Sequence, residues 1–223
     1  MHDDDTAMQE LVRDDSSRKR FLKMMGGTGA AAFSIFVAAC GEDEEPKKSS
    51  ASSSSAAGAG RKRDLEIVQY ALTLEHVETD FYDAVIESGV IKDKALAATA
   101  AMIRDNEQEH VDALTAAVKN LGGKPQKPQT SFDSVIKGGA KKVLETAAAV
   151  ENLGAAAYLG QAARIQSKEI LAAALSIHTV EGRHAAALNK AAGKSILPDG
   201  AFAKPASMSE VLPQVKPFLK ETS

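Results

Sequence analysis

Apolar positions recur at helical spacing through most of the chain beyond residue 62. Leu65, Val68, Leu72, Val77 and Phe81 step by three, four or five residues, which gives a helix one apolar side. The pattern predicts a helix from about Arg63 to Ser88, ended by Gly89. A second is expected from about Lys92 to Leu121, stopping at Gly122 and Gly123. Residues 124–131, K-P-Q-K-P-Q-T-S, hold two prolines and cannot continue it, and Phe132–Ile136 is expected to make one short turn. A third helix is expected over about Ala140–Gln166 and a fourth over about Lys168–Ala192. Tight joins within each pair predict two antiparallel hairpins. The link between the pairs, roughly 17 residues at about 3.3 Å each when extended, can run the length of a bundle. The expected architecture is therefore all-α: a four-helix bundle over 62–192 built from two hairpins and one long crossover.

The flanks read differently. Residues 193–223 carry Pro198, Pro205, Pro213 and Pro217 among Ile196, Phe202, Val211 and Phe218. This stretch is too apolar for a free tail and too proline-rich for a long helix. It is expected to pack along the bundle, with a short helix near Met208–Leu212 capped by Ser207 or Ser209. Residues 41–61 run from E-D-E-E-P-K-K into Ser, Ala and Gly without apolar periodicity, the composition of a flexible linker. Residues 1–40 have the order of an export signal: a basic S-R-K-R-F-L-K, a short apolar run, then small residues before Cys40. Aromatics make up only 4% of the chain and Trp is absent, which favours closely packed Ala-rich helices over a sheet. A formal net charge of -3 gives no reason to expect a nucleic-acid surface, and the lone cysteine excludes an intramolecular disulfide.

Candidate chemistry lies in an internal repeat. I-R-D-N-E-Q-E-H-V-D-A-L (103–114) carries Glu107 and His110, and I-H-T-V-E-G-R-H-A-A-A-L (177–188) carries Glu181 and His184. Each pair is three apart and so shares a helix face. Ahead of them, A-L-T-L-E-H-V-E-T-D-F-Y carries Glu75 and Tyr82, and A-A-A-V-E-N-L-G-A-A-A-Y carries Glu151 and Tyr158. The order Glu, Glu-x-x-His, Glu, Glu-x-x-His predicts six ligands for two metal ions in the bundle core. Four carboxylates buried together cost several kcal/mol each without cations, and two divalent ions cancel their charge while the histidines stay neutral. Such N and O donors suit iron or manganese, with zinc open. Glu78 lies one turn from Glu75, but the repeat sets Gly154 opposite it, and Glu75 is preferred. Glu109, His76 and His178 are assigned to the surface or the surroundings of the site.

This ligand order resembles that of the ferritin-like di-iron proteins, including bacterioferritin and rubrerythrin, over roughly Leu65–Ala192. The resemblance implies two Fe or Mn ions held by Glu75, Glu107, His110, Glu151, Glu181 and His184. It also implies O2 or peroxide as reactant in ferroxidase, peroxidase or catalase-like chemistry, with Tyr82 as a candidate catalytic residue. Storage of iron in a cage and a non-enzymatic, stress- or desiccation-related surface lipoprotein are the rival expectations. S-R-K-R-F-L-K resembles the twin-arginine export motif except at Lys19, which leaves the general secretory route open. V-A-A-C, ending at Cys40, is similar to a bacterial lipobox. Together they imply a chain exported and tethered to the outer face of the membrane by lipid on Cys40, with a second copy of the chain as a further expected partner.

Overall fold

The computed structural model describes residues 53–220, with side chains from residue 58. The expected signal with Cys40, and residues 41–52 of the expected linker, lie outside the described residues. Among the described residues the chain forms α1 (Ser53–Ser88), α2 (Lys94–Asn120), α3 (Asp133–Lys137), α4 (Gly139–Ala162), α5 (Lys168–Ala191) and α6 (Met208–Val215). A single 3-10 turn follows at Lys216–Phe218, and there is no strand. No helix among them is long and apolar enough to cross a membrane.

Local signals set the helix ends. Gly89 (φ 59) takes the left-handed conformation that stops α1. Asp93 then opens α2 by accepting a hydrogen bond from the Leu96 amide at 2.8 Å. Gly122 (φ 84) closes α2, and Ser167 caps α5 through the Ile170 amide. α1 starts at Ser53, well before the expected Arg63. The Ser, Ala and Gly run has no apolar period to read, but extending a helix already nucleated costs little. That extension brings Arg61 to the far end of α2, where its guanidinium donates to the Asn120 and Leu121 carbonyls at 2.7 and 3.3 Å.

α1 packs on α2 and α4 on α5, forming the two antiparallel hairpins, and the hairpins meet through α1 with α4 and α2 with α5. Phe81, Ile103, Ala148 and Leu188 fill the core at one end, where Phe81 meets Phe132 edge-on at 5.3 Å. Two polar clasps hold the hairpins in register. Buried Asp64 accepts hydrogen bonds from the Gln166 and Ser167 amides, both 2.8 Å, tying α1 to the α4–α5 turn. Asn152 and Asn189 exchange side-chain hydrogen bonds at 3.1 and 3.2 Å between α4 and α5.

Beyond α5 the chain returns along α4. The Ala206 amide donates to the Ala156 carbonyl at 2.9 Å, and a Cβ at Gly160 would lie 1.9 Å from the Ala206 oxygen, so only glycine allows this crossing. Ser207 precedes α6, its amide donating to Glu210 at 2.7 Å. Val211 and Val215 of α6 then bury against Tyr70, Leu74 and Ala157. The last described residues pair with the crossover, Ser131 donating to Phe218 and Lys220 to Gln129.

Candidate metal centre

Helix geometry alone brings the repeated residues together. Seven residues make nearly two turns, so Glu75 and Tyr82 face the same side of α1, and Glu151 and Tyr158 the same side of α4. Glu107 with His110 on α2, and Glu181 with His184 on α5, share faces by their spacing of three. In the folded chain all six Glu and His side chains are buried and meet at one level of the bundle. The four glutamates are 0% exposed.

Two groups of four result. Glu75, Glu107, His110 and Glu181 offer ligand atoms within 4.8 Å of one another, and so do Glu107, Glu151, Glu181 and His184. Glu107 and Glu181 belong to both. His110 Nδ1 lies 2.8 Å from Glu107, 3.2 Å from Glu75 and 3.3 Å from Glu181. His184 Nδ1 lies 2.8 Å from the other oxygen of Glu107 and 3.2 Å from Glu151. One N–H can serve one of these oxygens well, whereas a cation among them serves all. Ligand atoms held about 2.1 Å from one ion at right angles stand about 3 Å apart, the separation found here. Hydrogen bonding from the described residues leaves both oxygens of Glu181 without a donor. A donor set of carboxylates and imidazole nitrogens with unanswered buried oxygens fits hard or borderline divalent ions.

The electrostatics agree. Burial raises Glu75 to about 7 against the lowering effect of His110. Burial also raises Glu151, and it lifts Glu181 well above the carboxylate range with help from the charges of Glu107 and Glu75. Glu107 goes the other way: burial opposes its ionisation, but hydrogen bonds from His110 and His184 hold it at about 2. Burial disfavours charge on the histidines too, yet His184 rises to about 9 through Glu107 and Glu151, and His110 rises well above its ordinary value through Glu75, Glu107 and Glu181. With no ion bound, protons therefore take the place of cations.

The tyrosines cross between hairpins. Tyr82 donates to Glu151 at 2.5 Å, and Tyr158 donates to Glu75. Tyr82 thus holds a carboxylate of the opposite hairpin. His184 is also oriented from behind: its Nε2 lies 3.1 Å from Asn106 Oδ1, which favours the tautomer that leaves Nδ1 free for an ion. Asn106 escaped the sequence reading because nothing in a single chain links it to residue 184. His178 lies outside the cluster, bonded to the Ala155 carbonyl, and His76 is half-buried near Lys127 and Asp80. Glu78, set aside on the repeat, is buried beside the cluster. The signal that marks it is its place one turn from Glu75 on the same face.

No curated protein matches the chain. A model of the ferritin-like domain matches residues 63–194, from the first turns of α1 to just past α5, and contains all six clustered residues. With its all-α bundle and a buried Glu and His cluster that could hold a metal ion, the chain belongs to the ferritin-like domain family.

Proposed function

We propose that this chain is an exported ferritin-like protein that holds two iron or two manganese ions and reacts with dioxygen or peroxide as a ferroxidase or peroxidase. The observation that carries the reading is Glu107, whose two oxygens each lie 2.8 Å from a different histidine. One carboxylate set between two imidazoles is the arrangement that a bridged pair of ions needs. Glu75, Glu107, His110 and Glu181 would hold one ion and Glu107, Glu151, Glu181 and His184 the other, with Glu107 and Glu181 common to both groups. Two such ions, when bound, would supply electrons to an oxidant. Tyr82 and Tyr158 fix Glu151 and Glu75, and the surrounding core keeps bulk water from the ligands. One cysteine, Cys40, is too few to build a cysteine-ligated iron site for electron supply, so electrons would come from another protein, a small molecule or substrate Fe2+. Lipid on Cys40 tethers the exported domain to a membrane face. Cys40→Ser should release it, and membrane retention by that variant would remove this part of the proposal.

One observation favours a second reading, a surface lipoprotein whose ions only hold the bundle together. All four carboxylates are sealed from solvent, and closed sites are typical of structural ions. Elemental analysis of the purified chain, with stopped-flow absorbance after Fe2+ and then O2 or H2O2, separates the two. Two ions with rapid oxidation support the enzyme, and two ions without turnover support the structural role. A folded chain that takes no ion refutes both.

A further inference from the structure

We propose that Glu78 is a further ligand of this centre, adding a fourth carboxylate to the ion caged by Glu75, Glu107, His110 and Glu181, and that Gly154 is the gap that admits it. The inference rests on the metal reading above and extends it beyond the six repeated residues.

Glu78 follows Glu75 by one turn of α1 and is 2% exposed. Its Oε2 has no hydrogen-bond partner among the described residues. A carboxylate held that way is costly, and folded chains rarely keep one without a partner to answer it. Gly154 shows where the side chain points. A Cβ built there would lie 2.8 Å from Glu78 Oε1 and 2.9 Å from Glu181 Oε2, closer than real carbons approach. Glu78 from α1 and Glu181 from α5 therefore converge over the bare backbone of α4. Gly154 sits inside a helix, where glycine costs about 1 kcal/mol relative to alanine, and its φ is not among the positive ones. Backbone conformation does not call for glycine at this position, whereas the space taken by the two carboxylates does.

The neighbours assign Glu78 to one ion. After burial, the strongest influence on it is the charge of Glu181, followed by that of Glu75. Glu181 is shared by both groups, whereas Glu75, one turn away on the same helix, belongs to the His110 group alone. The repeat places Gly154 where α1 has Glu78, so the second ion gains no matching carboxylate. The two positions are thus unequal, with five donors around one ion and four around the other.

Anaerobic Mn2+ titration of the metal-free full chain, with thermal melts, tests this. Glu78→Gln keeps the shape and removes the charge. It should weaken one of the two binding steps by at least about tenfold and leave the other nearly unchanged. The metal-free melting temperature should hold or rise, while the rise on adding Mn2+ shrinks. Gly154→Ala crowds both Glu78 and the shared Glu181 and should weaken Mn2+ binding with every carboxylate still present. Wild-type affinity for both ions in both variants would overturn the proposal and leave Glu78 a buried neutral acid. In Glu78→Gln, a lower metal-free melting temperature with both steps weakened alike would also overturn it, as a structural effect. A wild-type chain that takes no Mn2+ would overturn the metal reading itself along with this one.

Discussion

Loading the centre should expel protons, and the number follows from the site. Without an ion, His110 lies well above its ordinary value and His184 sits at about 9, so both imidazoles are protonated at pH 7. An ion needs the Nδ1 lone pair of each, because that is the nitrogen facing the carboxylates. Two ions must therefore displace about two protons from the histidines alone. Glu181, pushed well above the carboxylate range by burial and by Glu107, adds to this, whereas Glu107 at about 2 is already ionised and adds nothing. Each released proton changes affinity tenfold per pH unit, about 1.36 kcal/mol. The two histidine protons alone make the product of the two association constants rise by at least about a hundredfold, or about 2.7 kcal/mol, for each unit of rising pH near neutrality. The dependence should flatten as pH passes the value of about 9 for His184.

Calorimetric titration with Mn2+ at pH 7, in two buffers that differ in protonation enthalpy, counts the protons directly. Repeating it between pH 6 and 8 gives the slope. Release of fewer than one proton per pair of ions, or affinities that do not change with pH, would refute the assignment of Nδ1 as the binding atom and of protons as the groups displaced.

Three further outcomes are expected. Stability of the metal-free chain should fall as pH rises from about 4.5 towards 9, because the folded state keeps protons on Glu75 up to about 7 and on His184 up to about 9 that the unfolded chain releases near 4.5 and 6.5. Circular dichroism melts read this, a melting temperature that climbs over that range contradicts it, and bound Mn2+ should remove the decline. The double variant Glu107→Ala/Glu181→Ala takes away both shared carboxylates and should lose bound metal while keeping its helical content; full metal retention by elemental analysis would end the metal reading. Asn106→Leu removes the acceptor behind His184 and should weaken one ion by about 10- to 100-fold, with Asn106→Asp restoring most of it and an unchanged binding isotherm for the leucine variant counting against the orientation.

Much of this fold was legible because helices translate sequence spacing into direction without outside information. The spacing of three between Glu107 and His110, repeated at Glu181 and His184, fixes two faces wherever the helices go. Gly89, Gly122 and Ser167 mark ends by backbone conformation or capping, both local properties. What could not be read was set by distant neighbours. Asp64 has the composition of any surface acid near a helix start, and only folding brings it to the Gln166 and Ser167 amides. The early start of α1 was hidden because a Ser, Ala and Gly run has no apolar period, although Arg61 within that extension binds the end of α2.

Glu78 is a different case, since the repeat itself directed attention away from it. Aligning the hairpins assumes that the two halves present equal ligands, so a Glu opposite a Gly counts against the Glu. Packing reverses that inference. Two related helices facing each other across a shared site compete for the same volume, and a large side chain at one position requires a small one at the other. Glu78 and Gly154 are such a pair: the carboxylate fits because its counterpart has no Cβ. In a pseudo-symmetric site of this kind, a mismatch between large polar and glycine at equivalent positions identifies the place where symmetry is broken by the packing, so the two hairpins present different surroundings to the buried Glu and His cluster there.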